Sequence, residues 1–140
     1  MDEYLVGTKK HGGCHIDNYE RKITKYDMLN LVEKIQGKKC IKVFKYQEID
    51  FIKVYYAIVK GVRMGTVALT LTINLKDGTQ EDVRLIYSNT TREDVEAVIR
   101  LLQTSKLKII DHYHLFDQIL NSKETIWNII DNIDRKRMNK

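Results

Sequence analysis

The chain has 140 residues, a length suited to one domain of the usual ~100–200 residues. It is 43% hydrophobic and 31% charged with a net charge of +5, which excludes a fibre, a disordered chain and a disulfide-stapled miniprotein. Cys14 and Cys40 fit no disulfide framework, and no apolar run approaches the ~20 residues of a membrane-spanning helix.

In chain order, residues 1–23 read as one short strand over Asp2–Thr8 followed by a loop, Lys9–Asn18, that contains Gly12-Gly13. An acidic start, Met1-Asp2-Glu3, with no apolar stretch behind it is unlike a secretory signal, so a cytoplasmic location with reduced thiols is the expectation. Thr24 with Asp27 forms a capping box, and Met28, Leu31, Val32 and Ile35 follow at i, i+3, i+4, i+7 spacing before Gly37. This predicts an amphipathic helix over 24–37 with its apolar face on the core.

Residues 40–87 change period and predict an antiparallel meander. Cys40–Lys45 alternates weakly, and Ile52, Val54, Tyr56 and Ile58 share one strand face. Gly61–Gly65 can turn the chain. Val67, Leu69, Leu71, Ile73 and Leu75 then alternate with Ala68, Thr70, Thr72, Asn74 and Lys76, the pattern of a strand with one buried and one wetter face. Asp77-Gly78 signals a hairpin, and Val83, Leu85 and Tyr87 form the return strand. A second capping box, Thr91 with Asp94, opens a helix over 90–103 whose buried face is Val95, Val98, Ile99 and Leu102. Residues 106–140 read as a short strand at Leu107–Ile110, a helical segment holding Tyr113, Phe116, Ile119 and Leu120, and a last helix. Asn121 and Glu124 cap that last helix, its face is Ile126, Ile129, Ile130 and Ile133, and it frays into a basic tail, 135–140. The expected fold is therefore α+β: an antiparallel meander of about four to five strands packed by flanking amphipathic helices in a single domain.

The order of Tyr46-Gln47-Glu48-Ile49-Asp50-Phe51-Ile52, the strands that follow, Lys76-Asp77-Gly78 and the helix with Val95, Val98 and Leu102 resembles a bacterial PH-like module. The resemblance covers residues 46–103. It implies a small sheet capped by one helix and a binding or scaffolding role. No basic loop of the phosphoinositide-binding kind lies between these strands.

Charge is unevenly spread. Residues 1–63 hold 13 Lys/Arg against 8 Asp/Glu, and residues 64–134 hold 7 against 11. Lys38, Lys39, Lys42, Lys45 and Lys53 interleave with Tyr46 and Tyr55, a mixture in which bases could stack on aromatics while cations track phosphates. The same lysines also serve to keep strand edges from aggregating. His11, Cys14 and His15, with His112 and His114, are the imidazole and thiol groups from which a tetrahedral metal site could be assembled, although their spacing matches no fixed pattern. Trp127, at the margin of the last apolar helix face, is a candidate anchor for a partner or second copy. Neither a phosphate-binding glycine loop nor GxGxxG is present, and no cofactor is implied. Three functions follow: a non-enzymatic module that binds a protein partner or self-associates without entering a membrane, a nucleic-acid binder using region 38–60, and a small metal- or thiol-dependent enzyme.

Overall fold

In the computed structural model, residues 2–59, 66–87 and 89–138 are described. Two hairpin-connected strands, β1 (Glu3–Thr8) and β2 (Gly12–Asp17), lead to β3 (Lys22–Tyr26), a short helix α1 (Leu31–Ile35) and β4 (Ile41–Lys45). A single 3-10 turn, Tyr46–Glu48, joins β4 to β5 (Ile49–Val59), which is followed by β6 (Thr66–Leu75) and β7 (Gln80–Arg84). The chain ends in α2 (Arg92–Thr104), β8 (Ile109–Ile110), α3 (Leu115–Asn121) and α4 (Ile126–Met138). The first sheet has the order β1-β2-β3-β4, antiparallel throughout; the second has the order β7-β6-β5-β8, with β8 parallel to β5 at Ile52↔Ile109. The fold is α+β.

Of the meander expected over 40–87 only β5 to β7 form one; β4 pairs instead with β3, the 3-10 turn dividing the segment between two sheets of four strands where one sheet of four to five was expected. Leu69, Leu71 and Ile73 are buried on the core face of β6, opposite Ile52 and Val54 of β5 and Val83 of β7. The period-2 pattern was decisive here because β5 and β6 bury one face only. The Gly61–Gly65 turn lies outside the described residues.

Residues 1–23 depart from the expected strand and loop. Gly12 and Gly13 begin β2 instead of breaking the chain: Gly12 takes φ 108°, and a Cβ on Gly13 would stand 2.7 Å from the Val6 and Thr8 carbonyl oxygens. Gly7 and Gly13, paired across the two strands, are what allow β1 and β2 to approach so closely, while Gly12 supplies the positive φ at the turn.

The helix expected over 24–37 is corrected more strongly. Thr24 is a buried residue of β3, paired with Val43 on one side and His15 on the other, so it caps nothing. Lys22–Tyr26 is held as a strand because it fills the gap between β2 and β4, and tertiary pairing overrides the capping box read at Thr24. What remains helical is Leu31–Ile35, capped by Asn30.

The second capping box forms as expected, with Thr91 Oγ1 accepting from the Asp94 N–H at 3.2 Å and Asp94 Oδ2 from the Thr91 N–H at 2.8 Å. Val95, Val98, Ile99 and Leu102 are all buried, and α2 lies against β1 and β2. Arg92 ties α2 to the α3–α4 connection by donating to the Ile119 carbonyl at 2.7 Å and to those of Ser122 and Glu124. Asn121 ends α3 and does not cap α4; Thr125 does so, accepting from the Asn128 N–H at 3.1 Å. Ile129, Ile130 and Ile133 bury the face of α4 that lies against β5 and β6. Arg137 is no frayed end. It donates to the Tyr56 hydroxyl at 2.7 Å and lies over the Tyr56 and Tyr113 rings. Among the described residues no helix is long and apolar enough to cross a membrane.

Candidate functional site

Residues 27–40 leave the first sheet after β3 and return at β4, and the excursion is closed where the Asp27 N–H donates to the Cys40 carbonyl at 2.7 Å. Helix α1 stands on this excursion and is held by local bonds. Asn30 Oδ1 accepts from the Glu33 N–H at 2.8 Å, Glu33 Oε1 accepts from the Asn30 N–H at 3.3 Å, and the Lys38 N–H closes on the Glu33 carbonyl at 3.1 Å. None of its residues is buried. Met28, Leu31, Val32 and Ile35, the apolar set that the spacing assigned to the core, are 67%, 72%, 61% and 77% exposed. A helix of five residues on a closed excursion reaches no core, so its apolar face points to water.

Lysines surround this face. Lys34, Lys38 and Lys39 are exposed, and a groove of about 470 Å³ at the foot of the helix is lined by Met28, Leu29, Lys38, Lys39, Lys42 and Glu81 among others. Below the groove Glu81 of β7 accepts from Lys25 at 2.9 Å and from Lys42 at 3.0 Å, so it joins the two sheets. Partial burial alone would raise the Glu81 carboxyl, but the hydrogen bonds and charges of the two lysines outweigh it and the group is lowered.

The seven residues of the expected nucleic-acid surface are divided among several places. Lys38 and Lys39 flank α1, and Lys42 is engaged by Glu81. Tyr46 is 3% exposed, with its hydroxyl donated to Asn18 Oδ1 at 2.6 Å, so its ring offers no stacking face. Lys45 lies at a separate cleft of about 870 Å³ with Arg21, Lys22, Lys76, Lys106 and Lys108, none of which the sequence reading had singled out. Lys53 and Tyr55 stand on the outer face of the second sheet, the ammonium 5.9 Å from the ring centroid.

The expected metal ligands are likewise scattered. Cys14 faces the core from β2, and burial pushes its thiol up to about 12 against a weaker lowering by Lys25. His15, the next residue, takes the opposite face of the strand, as alternation requires. His11 is exposed in the β1–β2 turn, and His112 and His114 are exposed just before α3. Of the five, only His15 joins a group of potential ligands among the described residues, with Glu3 and Asp17, residues the sequence reading passed over. The cross-strand register Glu3↔Asp17 is the signal that places them together, and it exists only once β1 and β2 pair. Trp127 is half-buried on α4 beside Ile126, and Cys40 is exposed at the end of the α1 excursion.

In comparison with known proteins, the chain matches no family model, no curated protein and no solved structure.

Proposed function

We propose that this protein is a binding module that docks an apolar, acidic segment of a partner protein on α1. The observation that carries this reading is the exposure of Met28, Leu31, Val32 and Ile35 together on one short, locally closed segment. Contiguous exposed apolar side chains with a polar rim are the usual mark of a docking surface. The rim here is Lys34, Lys38 and Lys39, of which, among the described residues, only Lys38 has an acid beside it, Glu33 at 3.9 Å, so its balance of charge favours carboxylates on the partner. A symmetric dimer about α1 would bring these lysines against their own copies, so a partner of opposite charge fits better than a second copy. The resemblance of residues 46–103 to a PH-like module also implies a binding role, although α2 lies on β1 and β2 and not on the sheet of β5 to β7.

The test uses two labelled amphipathic peptides with the same leucine spacing, one flanked by glutamates and one by lysines. The glutamate-flanked peptide is expected to bind the wild-type protein, and Leu31→Ser/Ile35→Ser is expected to reduce that binding about tenfold or more, the scale of lost interface anchors. Equal binding of both peptides, or binding unchanged in the double variant, would overturn the proposal. Sedimentation of the wild type as a dimer that the double variant dissociates would assign the face to self-association instead.

A further inference from the structure

We infer that the cleft between the β2–β3 turn, the 3-10 turn and the segment after α2 binds the phosphate backbone of a nucleic acid, by charge and without reading bases. Six cations line it: Arg21, Lys22, Lys45, Lys76, Lys106 and Lys108. Glu20 and Asp50 are the acids there. Among the described residues only Lys22 of the six has an acidic partner, Glu20 at 3.6 Å. Lys25 and Lys42, on the same pair of strands, contrast with them, because both pair with Glu81 and Lys25 also lies 3.7 Å from Asp27.

The chain holds these charges together against local preference. Lys22 and Lys45 are directly paired across β3 and β4, where like charges repel. Arg21 and Lys106 have φ of 58° and 69°, the left-handed region that favours glycine or asparagine, and they are two of three non-glycine residues so placed among the described residues. Lys106 directly follows Ser105, the last cap of α2, a position where glycine is the common choice. A bound polyanion would relieve the repulsion that these placements create.

The main chain that carries three of these cations is tied down. The Tyr46 N–H donates to the Arg21 carbonyl at 3.0 Å, the Lys76 N–H to the Glu48 carbonyl at 2.9 Å, and the Ile52 N–H to the Lys108 carbonyl at 2.9 Å. Beneath them Asn18 joins the turn to α2, accepting from the Tyr46 hydroxyl and donating to the Leu101 carbonyl at 2.9 Å. The aromatic ring of the cleft is covered, since Arg21 lies 5.2 Å above the centroid of a buried Tyr46. A site with clustered cations on a fixed backbone and no free ring suits closely spaced phosphates and offers bases nothing to stack on. Its open apolar floor is limited to Val43 and Leu107, because Tyr46 and Ile49 are buried.

The experiment titrates the full chain against labelled duplexes of about 20 base pairs and unrelated sequences, at about 50 and 200 mM salt. Binding should be independent of sequence and fall about tenfold or more at the higher salt, as released counterions require. Lys45→Glu/Lys108→Glu should weaken it about tenfold and make the salt dependence shallower, whereas Lys38→Glu/Lys39→Glu beside α1 should change it much less. Arg21→Gly/Lys106→Gly should weaken binding while thermal stability holds or rises, which separates lost charge from lost fold. Tripolyphosphate that displaces the duplex supports phosphate recognition and, if it binds more tightly than the duplex, names a free polyphosphate as the source. No duplex or tripolyphosphate binding at the lower salt, binding indifferent to the cleft variants, or displacement by polyglutamate better than by tripolyphosphate would overturn the inference.

Discussion

Cys14 and Cys40 show how far position alone separates two identical side chains. Cys14 is fully enclosed between Val6 and Lys25 in the strand register, and its thiol is pushed up to about 12 by burial, while Cys40 stands in solvent. At pH 8 a thiol reagent should therefore modify one cysteine rapidly in the native protein and the second only in denaturant; two rapid equivalents would contradict the burial of Cys14. Burial also raises the Tyr46 hydroxyl to about 12 and moves Tyr87 upward. In each case the folded group holds its proton more tightly than the unfolded one. The resulting stabilisation is complete below the ordinary values of 9.0 for the thiol and 10.0 for the phenol. It is lost as pH rises toward about 12, so the melting temperature should fall over that interval. A flat melting temperature from pH 9 to 11 would count against it.

At the scale of elements, α1 and α2 carry the same signature, a capping box before apolar residues at helical spacing, and meet opposite fates. Helix α2 lies on β1 and β2 and buries its face, and its first turn is further held by the Tyr4 hydroxyl on Asp94. The hydrogen bonds from Thr91 and from Tyr4 hold the Asp94 carboxyl below its usual range. Thr91→Ala should cost about 1 kcal/mol in urea denaturation, the ordinary worth of a helix N-cap, and Thr91→Ser should restore most of it. Leu31→Ser/Ile35→Ser in α1 should cost no more than about 0.5 kcal/mol per site, because these side chains leave solvent for nothing in the isolated chain. A large loss of stability there would mean that the face is covered.

Across the whole molecule, one apolar cluster runs from Val6 and Ile16 of the first sheet through Leu71 of the second to Ile130 of α4. Leu71 is fully buried in the interior strand of its sheet, between Val54 and Val83, so Leu71→Ala should destabilise the fold by about 2–5 kcal/mol in chemical denaturation. A loss under about 1 kcal/mol would show that the site collapses or was never packed. The charge distribution is likewise a property of the whole. The cleft takes Arg21, Lys22 and Lys45 from the basic first part of the chain and Lys76, Lys106 and Lys108 from the acidic second part. At this cleft the two halves of the chain, which differ in net charge along the sequence, interleave in space.

The sequence by itself determined the α+β class, β5 to β7, the hairpin at Asp77-Gly78 and α2 with its cap, because each depends on neighbours within a few residues. Alternation specifies a half-buried strand, and a capping box followed directly by apolar residues at helical spacing specifies a helix start at Thr91, whereas at Thr24 sheet pairing overrode it. Only the tertiary structure decided that Lys22–Tyr26 is a strand, since its partners β2 and β4 lie on either side in space. It also decided which apolar faces are covered, because the spacing of Met28, Leu31, Val32 and Ile35 says that they share a face and nothing about what packs on it. The basic cleft was equally hidden. Its cations come from the β2–β3 turn, β4, the β6–β7 turn and the segment after α2, and they meet only because backbone bonds to residues 46–52 draw those segments together.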